Sequence, residues 1–357
     1  MTRVMTYVVV IAAFVGGALT AAAAMDAAKD APRLPSLTID PEGISVSGVS
    51  SGGFMASQFH IAHSGQIMGA AVIAGGPYYC AGRRYPFNMF RSVAICSNTT
   101  AWLPFFGPPS VQPSVEEIDR QAARGAIDDP AHLAEDRIYL FSGTRDEQVP
   151  RSVVAALHRS YEAYVESENI VHINWVPAAH AMVTEDFGNA CGDVAPPFIN
   201  DCDYDAAGEL LTHIYGTLAP PVDPVGTLLE FDQSEFFAAD EGASLSSLAQ
   251  VYIPYACANG ATCRLHVAFH GCQQYHDNIG DAFYAGAGYN RWAESNDIVV
   301  LYPQTQPLQY AFLGAHIPWP NPRGCWDWWG YTGSDHHVKS SAQIRAVAAM
   351  IDRLAGR

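Results

Sequence analysis

Several short stretches of the chain are almost continuously apolar and end in small or polar residues. Met68 to Ala74, Arg137 to Phe141, Leu265 to Phe269 and Ile298 to Tyr302 have the length and the branched or aromatic content of buried strands. Residues 43–48 differ in pattern: Ile44, Val46 and Gly48 alternate with Ser45 and Ser47, the period of a strand with one apolar face. Val171 to Val176 alternates in the same way. Between these runs lie breaker-free segments that predict helices, Phe54 to His63, Val153 to Val165 and Tyr289 to Ser295, with helical character also over 115–135 up to a break at Asp128-Asp129-Pro130. Ala342 to Leu354 is amphipathic, placing Ile344, Val347, Ala348 and Ile351 on one face. Residues 220–256 carry proline-rich turns, one strand near Gly226 to Phe231, and little chemistry. Strands alternating with helices predict an α/β fold with a largely parallel sheet.

The first residues do not belong to that pattern. Arg3, the apolar run Tyr7 to Leu19 and the small residues Ala22-Ala23-Ala24 have the layout of a secretory signal peptide over 1–24. The run is shorter than the ~20 residues a membrane-spanning helix needs, and no later stretch reads as a span. A mature chain over 25–357 is expected to form one domain with long loops and no membrane span. The 49% hydrophobic content of the full chain allows a sizeable core, while its 23 Pro and 30 Gly predict much irregular surface. A net charge of −17 without any Lys/Arg cluster excludes nucleic acid and anionic membrane as partners, since both demand a basic patch. A monomer, extracellular or periplasmic, is the expectation. Eight cysteines in an exported chain, none in a C-x-x-C pair, predict disulfides rather than a metal or redox site. Pairing neighbours in sequence gives Cys80–Cys96, Cys191–Cys202, Cys257–Cys263 and Cys272–Cys325, one of about 105 arrangements open to eight cysteines.

The chemistry sits where strands end. Gly48-Val49-Ser50-Ser51-Gly52 lies between the alternating strand and the next helix, and G-x-S-x-G in that setting is a nucleophile elbow, a tight turn that lifts the serine hydroxyl clear of the sheet. By itself the five-residue match is weak. Serine needs a base to accept its proton and a third group to orient that base. Asp146 follows the strand 137–141, His180 follows the strand 171–176, and Ser, Asp, His is the chain order of an α/β-hydrolase. In that fold the oxyanion hole combines the N–H after the nucleophile, here Ser51, with one from a His-Gly-type loop that precedes the serine. Here the candidate loop, His270-Gly271-Cys272, follows it by more than two hundred residues. The elements after that loop, ending in the 342–354 helix, are those that normally lead into the elbow strand, so Leu37 to Gly43 reads as the continuation of the terminal helix. The chain therefore reads as a circularly permuted α/β-hydrolase, which packing tolerates because domain termini often lie close together. A Cys272–Cys325 bridge would then fix the backbone N–H that faces the developing oxyanion.

The segments Gly48 to Gly53, Ser142-Gly143-Thr144-Arg145-Asp146, Ala179-His180 with Phe187 to Cys191, His270 to Gln274, and Gly324-Cys325-Trp326-Asp327-Trp328-Trp329-Gly330 resemble the poly(3-hydroxybutyrate) depolymerases. Their order is similar to the circularly permuted type, and the resemblance spans nearly the whole mature chain. It implies Ser50, Asp146 and His180 as triad, the Ser51 and Cys272 N–H groups as oxyanion hole, and an apolar and aromatic crevice for the polyester. Trp326, Trp328 and Trp329 suit that crevice, though the resemblance does not single out one ring. Many extracellular relatives carry a linker and a separate polymer-binding domain, for which this chain has no room. Amorphous polymer or oligomers are the expected substrate.

No cofactor is expected, and no H-E-x-x-H or paired-cysteine motif suggests a metal. Adjacent His336-His337 are expected to be solvated at a helix start. Two rival readings accompany the esterase: a feruloyl or acetylxylan esterase on the same fold, since fold alone does not fix substrate, and a polymer-binding protein whose hydrolase site is idle.

Overall fold

The computed structural model describes residues 31–82, 87–100, 103–238, 242–312 and 315–357; the 1–24 segment read as a signal peptide lies outside them. The core is an eight-stranded sheet. Its strands are β1 (Ile39–Val49), β2 (Gly69–Ile73), β3 (Arg137–Phe141), β4 (Ile170–Ile173), β8 (Thr227–Asp232), β9 (Leu248–Ile253), β10 (Cys263–Phe269) and β11 (Ile298–Tyr302), in the order β4-β3-β2-β1-β10-β11-β9-β8. The six from β4 to β11 run parallel, and β9 and β8 close one edge antiparallel. Helix α1 (Ser51–Ala62) packs on β1 and β2 and is buried along its whole length. Further on are α2 (Phe87–Ala94), α3 (Gln112–Ala122), α4 (Arg151–Tyr161), α5 (Ala206–Tyr215), α6 (Tyr289–Ser295) and α7 (Ala342–Leu354). A small sheet of β5 (Met182–Thr184), β6 (Asn189–Ala190) and β7 (Ile199–Asp201) follows β4, and a hairpin of β12 (Leu308–Phe312) and β13 (Ala315–Asn321) follows β11.

Two features of β1 matter for function. Its register with β10 sets Gly48 opposite Phe269, so the turns that begin at Ser50 and at His270 leave neighbouring strands at the same end. The carboxyl ends of β3 and β4 point the same way, which brings the loops carrying Asp146 and His180 to that edge. The alternation along β1 also acquires a different meaning. A strand patterned this way usually wets its polar face, but Ser45 and Ser47 are fully buried because β1 lies at the centre of the sheet. His266 on β10 satisfies both, Nδ1 lying 2.7 Å from Ser45 Oγ and Nε2 2.7 Å from Ser47 Oγ. Tyr215 and Tyr289 hydroxyls complete the network.

The two ends of the described chain meet: the Leu37 N–H donates to the Leu354 carbonyl at 2.8 Å, and the Cys263 N–H to Thr38 at 2.9 Å. The last helix therefore delivers the backbone to the point where β1 begins. All four neighbour-paired disulfides are present, Cys80–Cys96, Cys191–Cys202, Cys257–Cys263 and Cys272–Cys325. No helix among the described residues is long and apolar enough to cross a membrane.

His336 and His337 are not solvated, contrary to the sequence expectation. Both are almost completely enclosed, in the turn that precedes α7 rather than on a helix. His337 Nε2 meets the Glu117 carboxylate at 2.9 Å, and the Tyr79 ring packs against both imidazoles. Nothing in a pair of adjacent polar residues announces a burial that α3 and the 77–79 turn impose from far away in sequence.

Burial holds several histidines in their neutral form, three of them almost completely enclosed. Loss of hydration pushes His266 down to about 3 and His270 and His336 down to about 4. In the unfolded chain these rings take up protons below their ordinary ~6.5, whereas the folded protein refuses them until far lower pH. Their stabilising contribution is thus complete above pH ~6.5 and is lost as the pH falls towards ~4. Urea midpoints measured from neutral pH down to ~4.5 are expected to fall steadily, with a slope equivalent to two or more protons taken up on unfolding. A midpoint that stayed level over that range would contradict this assignment.

Candidate active site

Ser50 occupies a sharp turn between β1 and α1. Its φ of 56° and ψ of −122° lie outside the regions open to L residues without strain, a cost of order 1–3 kcal/mol that the surroundings must offset. They do so by pinning both sides of the residue: the Ser50 N–H donates to Ile73 O at 2.9 Å, and its carbonyl accepts from Phe54 N–H at 3.0 Å. Gly52 is required by proximity, since a Cβ there would stand 2.2 Å from the Phe269 carbonyl oxygen and 2.5 Å from that of His270. Only glycine lets α1 start this close to the end of β10.

His180 Nε2 lies 2.8 Å from Ser50 Oγ, and His180 Nδ1 lies 2.8 Å from Asp146 Oδ2. The other oxygen of Asp146 accepts from the N–H groups of Gln148 and Val149, each at 2.9 Å, so the carboxylate presents its remaining oxygen to the imidazole. A carboxylate on Nδ1 selects the tautomer protonated there and leaves Nε2 free to accept the serine proton. The two loops are fastened to each other. Thr144 and Arg145 donate to Val176 and Ala178 carbonyls, Ala179 donates to Cys191 beside the Cys191–Cys202 bridge, and Gly143 leaves room for Ala178, whose oxygen would lie 2.2 Å from any Cβ.

Next to the serine runs the 270–274 loop. A Cβ on Gly271 would come within 3.3 Å of Ser50 Cβ, and the following Cys272 lines the same cleft as Ser50. Neither the Cys272 N–H nor the Ser51 N–H, first in α1, has a hydrogen-bond partner among the described residues. Two unpaired donors beside a serine at a helix N-terminus can stabilise an oxyanion. The loop is braced heavily. Gln274, buried, accepts the Gly271 N–H at 2.7 Å and donates to the Pro197 and Phe198 carbonyls. His270 Nδ1 meets the Gly271 carbonyl, its Nε2 accepts from Thr305, and Cys272 is bonded to Cys325.

Above this array opens a cleft of about 450 Å³. Phe54, Met89, Val93, Val149, Val194, Phe198, Trp328 and Trp329 supply apolar walls, and Ser50, Ser51, His180, Gly271 and Cys272 its floor. Trp328 stacks on Phe54 with ring centroids 4.0 Å apart and packs edge-on against Trp329. Among the described residues no group of three or more His, Cys, Asp or Glu could hold a metal ion.

No profile of a known protein family matches the chain. Individual proteins do. A poly(3-hydroxybutyrate) depolymerase of Delftia acidovorans is 40% identical over 353 residues, covering 96% of this chain and 66% of that protein. A polyhydroxybutyrate depolymerase of Talaromyces funiculosus is 33% identical over 341 residues, covering 91% of this chain and 93% of that protein. The chain belongs to the polyhydroxybutyrate depolymerase family. Two solved structures agree, each with a TM-score of 0.80 and 32% identity, covering 91% of this chain and 99% of the other: a depolymerase of Penicillium funiculosum and a serine-to-alanine depolymerase complexed with an R3HB trimer. The fold is thus that of an α/β-hydrolase in this family.

Of the three tryptophans expected at the crevice of a depolymerase, the structure brings two. Trp326 is fully buried, set edge-on against Phe269 and tilted over His270, and it does not line the cleft. It is a core residue behind the 270–274 loop, and its expected contact with substrate is withdrawn. The backbone turns at Asp327, whose carboxylate takes the N–H groups of Trp329, Gly330, Tyr331 and Thr332, so Trp326 before the turn is left in the core while Trp328 and Trp329 in the turn line the cleft. Sequence reading missed Asp327. Its Oδ1 accepts from the N–H groups of Trp329, Gly330 and Tyr331, and its Oδ2 from the Thr332 N–H and hydroxyl, so one carboxylate shapes the turn that holds both cleft tryptophans. It also missed Gln274, for which a glutamine two residues after a cysteine gives no signal.

These placements separate two substitutions. Trp326→Ala is expected to lower stability by about 3–5 kcal/mol, read as a shift in denaturant midpoint. Trp328→Ala, also buried and stacked on Phe54, is expected to cost stability as well but in addition to raise KM about tenfold on an ester substrate, which Trp326→Ala does not. Equal effects on KM would restore Trp326 to the crevice.

Proposed function

We propose that the chain is an exported serine esterase that hydrolyses the ester bonds of short-chain polyhydroxyalkanoate, with Ser50 as nucleophile, His180 as general base and acid, and Asp146 as the group that orients it. The observation that carries the proposal is the unbroken contact from Ser50 Oγ through both nitrogens of His180 to Asp146, two separations of 2.8 Å on three separate loops. As the hydroxyl attacks a carbonyl carbon, its proton passes to His180 Nε2 and the carbonyl oxygen gains charge between the Ser51 and Cys272 N–H groups. Collapse releases the alcohol, which takes the proton from His180, and leaves an acyl ester on Ser50. Water, deprotonated by the same nitrogen, then frees the acid.

A methyl-bearing polyester offers only ester oxygens and suits the apolar wall of Phe54, Trp328 and Trp329. The names of the Delftia and Talaromyces relatives, and the R3HB trimer in one related structure, support the same substrate class. The meeting of Leu37 with Leu354 supports a circularly permuted order, and four disulfides support an oxidising compartment.

Clearing of an amorphous poly(3-hydroxybutyrate) suspension is the test, with hydroxyacid release measured by chromatography. Ser50→Ala is expected to lower product formation by roughly 10⁴-fold or more, and Asp146→Asn by about 10⁴-fold, with little change in stability. Product formed equally by wild type and Ser50→Ala would leave an idle binding protein. Release of ferulate or acetate in preference to hydroxybutyrate would favour a carbohydrate esterase.

A further inference from the structure

The cleft over Ser50 does not end at its apolar walls. It adjoins a second, more open cavity of about 490 Å³ lined by Asn98, Thr99, Thr100, Leu103, Gln148 and Arg323. Thr99, Gln148 and Arg323 line both, so the two form one groove and Arg323 stands at the junction. His180 and Arg323 are the only ionisable side chains among those lining either cavity, and none of them is a carboxylate. The Arg323 guanidinium has no hydrogen-bond or ion-pair partner among the described residues. Its main chain, by contrast, is fixed. The Arg323 carbonyl accepts the Gln273 N–H at 2.8 Å, and Cys325, two residues on, is bonded to Cys272.

An exposed arginine on most surfaces needs no explanation. This one sits beside the reacting group, in a groove of apolar and neutral polar side chains, on a chain whose net charge of −17 repels anions at long range. Its five donors in a planar fork match a carboxylate, which they can hold by two parallel hydrogen bonds. A linear hydroxyacid oligomer carries one carboxylate, at the end of the piece that leaves as the alcohol when any of its esters is cut. A site that grips this carboxylate therefore lies on the leaving-group side of the scissile bond.

We propose that Arg323 binds the terminal carboxylate of hydroxyacid oligomers and so directs Ser50 to esters near the carboxyl end of the chain. This deepens the polyester reading and rests on it. Internal esters of long polymer gain nothing from the contact, whereas soluble oligomers are selected by it.

The experiment compares kcat/KM for the 3-hydroxybutyrate trimer and for its methyl ester, which replaces the charged terminus with a neutral ester, with cleavage of the internal esters followed by chromatography. The ratio of the two is independent of how much enzyme is folded. Wild type is expected to favour the free acid, by a margin that shrinks with added salt. Arg323→Gln is expected to lower the acid-to-ester ratio about tenfold, mainly through KM for the acid, and Arg323→Lys to restore part of it. An unchanged ratio in Arg323→Gln, or a wild-type preference for the methyl ester, overturns the proposal while leaving the polyester reading intact. Turnover of p-nitrophenyl butyrate with neither trimer cleaved would instead remove the polyester reading, and this proposal with it.

Discussion

The close approach of α1 to the end of β10 is the contact on which the site depends. With Gly52 set against the Phe269 and His270 carbonyls, the first N–H of α1 and the 270–274 loop arrive together beside Ser50. Any side chain at that position would separate them by an ångström or more, and oxyanion stabilisation does not survive a displacement of that size. The strained backbone of Ser50 follows from the same constraint, since a relaxed turn would carry the helix away from β10. The strain is offset locally by the hydrogen bonds from Ser50 to Ile73 and from Phe54 to Ser50. Beneath it, the His266 network ties β1 to β10 with side chains as well as backbone.

The fold was legible wherever local pattern and final environment agree. The runs 137–141 and 298–302 and the 342–354 helix have in the structure the bounds read from sequence, because a buried strand is apolar on both faces and a surface helix is apolar on one. Ser50, Asp146 and His180 could be picked out because each follows a recognisable strand, and in a parallel sheet the carboxyl ends of strands share one edge. What sequence did not show depends on partners far along the chain. β9 was overlooked within a segment read as turns, since its short run takes its strand character from the β11 and β8 partners on either side rather than from a pattern of its own. Trp326 and Trp328 look equivalent in sequence, but only Trp328 reaches the cleft. His336 and His337 are polar residues that other elements cover, and their burial cannot be inferred from neighbours.

The polar groups around the site fall into two kinds with different consequences. Asp327, Gln274 and Asp146 each use a side chain to satisfy backbone N–H groups of a tight turn, giving fixed geometry to loops that have no strand or helix of their own. His266, His270 and His336 are instead held neutral by burial; all three contribute packing, and His266 and His270 hydrogen bonds as well, at the expense of acid tolerance. Arg323 belongs to neither kind, since its guanidinium has no partner among the described residues and it lines the groove.

The Cys272–Cys325 bridge joins the two halves of the cleft. On one side it holds the 270–274 loop with the Cys272 N–H that has no partner among the described residues. On the other it anchors the segment in which Trp328 and Trp329 are placed by Asp327, and two residues before it stands Arg323. Aromatic wall, cation and free donor are therefore carried by one cross-linked piece of backbone. A substrate that settles against the wall is positioned relative to the donor by a short covalent path rather than by the packing of distant elements. Contacts remote from the scissile ester can then be expressed as orientation at its carbonyl, the condition under which binding raises the rate of the chemical step. The bridge closes the longest loop of the four, 53 residues, and so restrains the unfolded chain most; together with the bracing from Gln274, Thr305 and Asn321 it also fixes distances within the site.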